Sequence, residues 1–251
     1  MTLYGVDVST YQLPSAIPAG VDFVIARATF GTKLDKRVAD HAKHCRGKCA
    51  FGAYHFFVPG QNTDDQFDAF AVQAVACGLT VGDIIPWIDV ESPKGDGSMP
   101  PRPEWCQQLY DLAHALAEGF GAVGFYISQR DWSLLGKPGW ILEHPLWVPH
   151  WLTTSTAKVA SPGGVRPTIH QYRVGPYSPG ALHVGSQVAA PNAIDHDRCL
   201  GELPRIVAGG EPVQPAPADP IVVDPHIELD DDDWSAMRAE RDRMLIEGNE
   251  A

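Results

Sequence analysis

Eight short apolar runs recur along the first 200 residues, and their spacing constrains the fold more than any other feature. Leu3 to Val8 is the first and Phe23-Val24-Ile25-Ala26-Arg27-Ala28 the second. Phe51 to Phe57, Ile84 to Glu91 and Val123 to Ile127 follow. Leu146-Trp147-Val148, Thr168 to Tyr172 and Ala193-Ile194-Asp195 complete the set. Runs apolar at nearly every position suit strands buried on both faces of a parallel sheet. The intervals between the earlier runs read as helices. Thr63-Asp64-Asp65-Gln66 has capping-box spacing and leads into Phe67, Phe70, Ala71 and Ala74, with Gly78 stopping the run. From Pro103 to Phe120, Leu109, Leu112, Ala113 and Leu116 repeat at helical spacing, and Asp35 to Arg46 is a third helix with weaker periodicity. The later runs are joined by Pro- and Gly-rich stretches. The expectation is an α/β chain forming an irregular TIM-like barrel, five βα units followed by three strands. An open doubly wound sheet is the alternative.

The chain is expected to divide into a barrel over residues 1–205, a Pro/Ala-rich linker over 206–229 and a helix over 230–251. Acids at the start of the last segment and arginines later suit the helix dipole. Trp234, Met237, Met244 and Leu245 could form an apolar stripe, too short to hold an isolated helix. A docking segment for a protein partner and a frayed tail are both open. The net charge of -12 is concentrated here: residues 206–251 hold 12 acidic and 3 basic side chains. No basic stripe suits nucleic acid. No stretch is long and apolar enough to span a bilayer. The N-terminus lacks a signal-peptide pattern, so the expectation is synthesis in the cytoplasm without a signal peptide, followed either by work inside the cell that makes it or by release through another route, such as lysis. Five cysteines without a secretory signal argue for reduced thiols rather than a disulfide framework. Cys45 and Cys49 lack a second ligand pair at zinc spacing, so neither metal nor cofactor is expected.

Asp89 and Glu91 are the most informative residues. Positions i and i+2 of a strand point the same way, so both acids face one side of an otherwise apolar run. Like charges resist joint ionisation, and burial penalises the charged form, so such a pair splits into a protonated and an ionised member. That is the requirement for a general acid near neutral pH. Asp7 and Asp195 close the first and last runs. In a closed barrel these strands are neighbours, with the fourth opposite, and four carboxylates would ring the C-terminal mouth. The bland alternative is that each acid caps a loop. Tyr54, Trp87, Tyr126, Trp147, Trp151, Gln171 and Tyr172 lie at or near strand ends and are candidates for binding sugar, whose C–H faces stack on aromatic rings. Core packing is the competing reading for Trp87 and Trp147.

Gly5 to Gln12, Phe23 to Ala28, Gly52-Ala53-Tyr54-His55-Phe56, Pro86 to Glu91 and His170-Gln171-Tyr172 together resemble the Chalaropsis-type lysozymes, glycoside hydrolase family 25. The resemblance covers about residues 3–203. It implies an N-acetylmuramidase that cleaves the β-1,4 bond between N-acetylmuramic acid and N-acetylglucosamine in peptidoglycan. It implies Glu91 as the catalytic acid, with Asp7, Asp89 and Asp195 beside it. It also suggests a bacteriophage origin, as an endolysin or a virion-associated lysin. Trp147-Val148-Pro149-His150-Trp151, Asp195-His196-Asp197 and a long Gly175 to Pro191 loop depart from the family pattern. They bear on the sugar subsites rather than the catalytic pair. Two routes to the intermediate stay open, attack by Asp7 or Asp195 and attack by the substrate acetamido group with Asp89 orienting it. The rivals are a metal-dependent phosphoesterase, a chitinase-like hydrolase, and a wall-binding or structural particle protein that holds glycan without cutting it.

Overall fold

The computed structural model describes residues 2–93, 99–151, 159–175 and 194–207. The expected linker from 208 onward and the C-terminal helix lie outside them.

Eight strands close into a barrel. In chain order they are β1 (Leu3–Val8), β2 (Phe23–Phe30), β4 (Ala50–Phe56), β5 (Trp87–Asp89), β6 (Gly124–Tyr126), β7 (Leu146–Pro149), β8 (Ile169–Gly175) and β9 (Ile194–Cys199). The two-residue strand β3 (Lys33–Leu34) pairs only with β2, as a hairpin outside the ring. Strands β1 to β8 of the ring run parallel to one another. β9 is antiparallel to both its neighbours, β8 and β1, and closes the ring.

Side-chain alternation splits the apolar residues into two layers. Phe23, Ile25, Trp87, Trp147 and Ile169 fill the barrel interior. Val24, Ala26, Phe51, Ile88, Phe125 and Val148 face the surrounding helices. This double burial explains why β2 is buried at every position. Ile84 and Ile85 plug the bottom with Leu203 and Ile206, and Ile206 N–H donates to the Asp83 carbonyl at 2.8 Å. Ile206, at the expected start of the linker, therefore packs with the barrel.

Among the described residues, four α-helices cover the outside: α1 (Val38–Cys45), α2 (Thr63–Ala76), α3 (Cys106–Phe120) and α4 (Gln129–Leu134). α3 buries Leu109, Leu112, Ala113 and Leu116 on one face, as its periodicity predicts. The crossover after β1 carries only a single 3-10 turn, Pro14–Ala16. Pro14, Pro18 and Gly20 leave little room for a helix there. α1 begins later than the sequence suggests, because Asp35 is drawn away to the Arg27 guanidinium. The capping box at Thr63 does not form. Asn62 caps α2 instead, its side-chain oxygen accepting from Asp64 N–H at 2.8 Å and Asp65 N–H at 3.1 Å. Gln66 is thereby released to the interior, where its amide bonds His55 and the Val58 backbone.

Trp87 lies across the floor of the barrel against Gly124, where a Cβ would fall inside the van der Waals shell of the indole ring. Gly124→Ala is expected to destabilise the protein by about 1–3 kcal/mol through overpacking. Gly139→Ala, which meets nothing within 4 Å, should be close to neutral. Urea unfolding of the two variants tests the difference.

Candidate active site

The inward-facing residues turn polar where the parallel strands end. Asp7 comes from β1, Arg27 from β2, Tyr54 from β4, Asp89 from β5, Tyr126 from β6 and Gln171 from β8. Asp195 and Asp197 come from β9. Asp195 starts its strand rather than ending it, because β9 runs antiparallel. That reversal brings its first residues to the mouth where the other strands finish, and Asp195 pairs with Asp7.

Glu91 is not inside the strand, as β5 stops at Asp89. The chain continues along the same line for another residue, with Val90 N–H donating to the Tyr126 carbonyl at 2.9 Å. Val90 is buried in the outer layer, and Glu91 returns, half-buried, to the Asp89 side. The Tyr126 phenol lies within electrostatic reach of all four expected acids, Glu91, Asp89, Asp7 and Asp195. Burial first and these charges second push its pKa well above that of a free phenol. Tyr54, also buried, is raised chiefly by desolvation.

A hydrogen-bond frame holds the acids. The Gln171 amide nitrogen donates to Asp7 at 2.8 Å. Its carbonyl oxygen accepts from the Tyr126 hydroxyl at 3.0 Å and from the Trp151 indole at 3.1 Å. Two donors on that oxygen fix the amide the right way round for Asp7. The Trp147 indole donates to Asp197 at 2.8 Å. Trp147 also packs edge-on against Tyr54, Tyr126 and Trp87.

Protonation at the mouth is strongly biased. Asp7 and Asp89 are 8% and 7% exposed. Burial, then the charges of Asp195 and Asp197, raise the pKa of Asp7 well above the ordinary carboxylate value. Burial, then Asp195, does the same to Asp197. Burial, then Glu91, raises that of Asp89, with Arg27 pulling the other way. One oxygen each of Asp89, Asp195 and Asp197 is buried with no hydrogen-bond partner among the described residues. A proton shared between the Asp7 and Asp197 carboxyls would satisfy the Asp197 oxygen and lower the charge of the cluster.

The structure thus gathers Asp7, Asp89, Glu91, Asp195, Tyr54, Tyr126 and Gln171 at one mouth. Trp147 lies immediately beneath, and Trp87 is sealed in the floor with no exposure. Tyr172 is not brought to the mouth. It faces outward onto His170, His196 and the Arg198 guanidinium, 5.3 Å from its ring. Alternation places it opposite Gln171, and a bulge between Gln171 and Arg173 makes it the extra residue of β8.

Two members of the site were not proposed from the sequence, Asp197 and Arg27, whereas Trp151, a candidate sugar platform, joins it through its bond to Gln171. Asp197 follows Asp195 at the i+2 spacing that marks Asp89 and Glu91. Arg27 is the one charge in an apolar strand. Among the described residues, no three His, Cys, Asp or Glu side chains converge as a metal-ligand set.

The family model of glycosyl hydrolases family 25 matches residues 6–181. The chain belongs to glycosyl hydrolase family 25. The matched span includes Asp7, Asp89 and Glu91 and stops before Asp195. A comparison with curated proteins returns no match. Solved structures share the fold. A family 25 glycosyl hydrolase from Bacillus anthracis superposes with a TM-score of 0.60 at 21% identity, over 80% of this chain and 89% of that one. A lysozyme from Streptomyces coelicolor gives 0.58 at 22% identity, over 79% and 92%. The catalytic domain of endolysin ply40, from bacteriophage P40 of Listeria monocytogenes, gives 0.56 at 20%, over 79% and 93%. This family 25 member is a glycoside hydrolase, and its acids stand where barrel enzymes keep their chemistry.

The raised carboxyls carry a stability signature. An aspartate whose folded pKa lies above its unfolded value holds more protons folded than unfolded. Its contribution to stability therefore falls as pH climbs from the ordinary carboxylate value through the raised one. Asp7→Asn removes that loss while keeping an acceptor for Gln171. The variant should match wild type near pH 3. At pH 7 it should be more stable by about 1 kcal/mol or more, since each unit of raised pKa is worth about 1.4 kcal/mol. Urea unfolding at the two pH values reads the difference.

Proposed function

We propose that this glycoside hydrolase is a peptidoglycan-degrading muramidase. It cuts the β-1,4 bond between N-acetylmuramic acid and N-acetylglucosamine, with Glu91 as general acid. The observation that carries the reading is the Asp89–Glu91 pair, two acids on one side of the mouth with opposite exposure. Glu91 is half-buried, whereas Asp89 is deep; when the pair holds one proton, Glu91 carries it in this reading and the Asp89 anion is supported by the nearby Arg27. Family membership supports peptidoglycan as substrate, and the similar solved structures include a lysozyme and a phage endolysin domain.

In this reading Glu91 protonates the glycosidic oxygen as the bond breaks, and positive charge develops at the anomeric carbon. The substrate acetamido oxygen closes on that carbon from the opposite face. Asp89, whose buried Oδ1 lacks a partner among the described residues, receives the acetamido N–H and polarises it. Tyr126 and Gln171 hold the acidic far wall in register. Water then opens the intermediate with retention, Glu91 acting as base. The alternative route uses Asp195 as nucleophile. The biological setting that fits is a phage endolysin or virion-associated lysin, made in the host cytoplasm and acting on the wall after release.

Purified peptidoglycan treated with wild type should release fragments with reducing muramic ends, identified by mass spectrometry. Glu91→Gln should lose about 10²–10⁴ of that rate. Wall binding without product release by wild type would instead indicate a non-catalytic wall-binding protein. Glycan stripped of its N-acetyl groups separates the two routes. Acetamido attack predicts a drop in kcat of at least about a hundredfold, and an Asp195 nucleophile predicts a change of only a few fold.

A further inference from the structure

The glycosidase chemistry uses none of the five cysteines, all of which are free thiols. Two of them meet in the turn that joins α1 to β4, at the end of the barrel opposite the mouth. Cys45 is the last residue of α1. Arg46 (φ -52°, ψ 125°) and Gly47 (φ 75°) then take the central positions of a type II turn, the second of which needs the left-handed conformation that glycine adopts freely. The Cys45 carbonyl accepts from Lys48 N–H at 2.9 Å and from Cys49 N–H at 3.1 Å, so the chain doubles back on the end of the helix. The Arg46 side chain pins this turn to the rest of the barrel, bonding Asp83 and the Cys77 and Gly78 carbonyls. A turn closed from i+4 to i brings its end residues to the Cα separation, under about 7 Å, that a disulfide can bridge. Cys49 Sγ stands 4.0 Å from the Cys45 carbonyl oxygen, and the two thiols hydrogen-bond each other.

The two sulfurs are unequal. Cys45 is fully buried, whereas Cys49 is half-buried and meets solvent. The bond from the Cys45 thiol stabilises a thiolate on Cys49 and pulls its pKa below that of a free thiol, against partial burial and with help from the Lys48 charge. The same bond, and then burial, push Cys45 up. Burial pushes Cys77 up to about 11 and also raises Cys106 and Cys199. Cys49 is thus the one cysteine of the five that combines solvent access, a favoured thiolate and a second sulfur within reach. Thiols that peroxides oxidise selectively share that combination.

We infer that Cys49 and Cys45 form a redox site, in which a peroxide oxidises Cys49 and Cys45 then resolves it to a disulfide. The Cys49 thiolate attacks one oxygen of hydrogen peroxide and the O–O bond breaks. The departing oxygen leaves as hydroxide and is protonated to water, and Cys49 is left as a sulfenic acid. The Cys45 sulfur attacks the Cys49 sulfur, the S–O bond breaks, and the second oxygen leaves as water with the Cys45 proton. Two thiols are oxidised and one peroxide is reduced. A dithiol reductant reverses the change by thiol–disulfide exchange. The turn lies at the floor end of β4, whose other end carries Tyr54, so the disulfide staples α1 to the barrel without entering the mouth.

The test exposes native, reduced protein to hydrogen peroxide and maps each cysteine by mass spectrometry. Trypsin cleaves after Arg46 and Lys48, so the peptides bearing Cys45 and Cys49 stay joined only through sulfur. Wild type should lose the mass of two hydrogens and regain it with dithiothreitol. Its Cys45–Cys49 cross-link should form at least about tenfold faster than Cys77, Cys106 or Cys199 is oxidised. Cys45→Ser should instead accumulate a sulfenic acid on Cys49 that dimedone traps, and Cys49→Ser should give neither product. Since Cys45 is buried and its variant can fail to fold, native wild type is also alkylated with limiting iodoacetamide. Cys49 should be the first thiol modified, and prior peroxide treatment should protect it. An unreactive Cys49, oxidation spread evenly over the five cysteines, or a lasting sulfenic acid on wild-type Cys49 without the cross-link overturns the site. So does a cross-link that forms no faster in native protein than in urea, because the folded turn would then contribute nothing.

Discussion

The closure of the barrel by one reversed strand is the constraint on which the rest of the structure depends. Seven strands of the ring run parallel, and their C-terminal ends define one mouth. β9 enters between β8 and β1 in the opposite sense, so its opening residues arrive there too. Asp195 lands beside Asp7, and Asp197 follows on the same inner face. A parallel last strand would have carried both acids toward the floor, where Ile84, Leu203 and Ile206 form a dry plug. The direction of a single strand thus decides whether the mouth holds three carboxylates or five.

Collecting so many acids has an electrostatic cost, and the surrounding residues show how it is limited. Desolvation and mutual repulsion favour protonation at Asp7, Asp89 and Asp197. The Gln171 amide and the Trp147 indole each give one buried oxygen a donor. Arg27 supplies the nearby positive charge, shared between Asp35 and the field at Asp89. Such a mouth stays acidic without full ionisation. Oxygens such as Asp89 Oδ1 stay buried in it without a partner among the described residues.

Arg27 also borders a cleft on its other side, formed by the β2–β3 hairpin and the residues after β1. β3 exists only as the outer arm of that hairpin and contributes no strand to the ring.

Much of this was readable from the chain alone. Apolar runs with helical intervals determined eight strands and a barrel, because burial on two faces leaves no polar alternation in a parallel strand. The period of two placed Asp89 and Glu91 on one side, and the same logic would have paired Asp195 with Asp197. Local signals failed where a neighbour made a better offer. Asn62 displaced Thr63 as the cap of α2, and Asp35 left its helix for Arg27. Tertiary structure alone decided that Tyr172 turns outward at a bulge while Gln171 turns in, and that Trp87 is floor rather than platform. It also brought Arg27, from an apolar strand, into the field of Asp89 while its side chain bonds Asp35. Periodicity is a local property that the sequence carries in full. Strand direction, bulge position and depth within the barrel depend on which strands meet, and that follows only once the ring is closed.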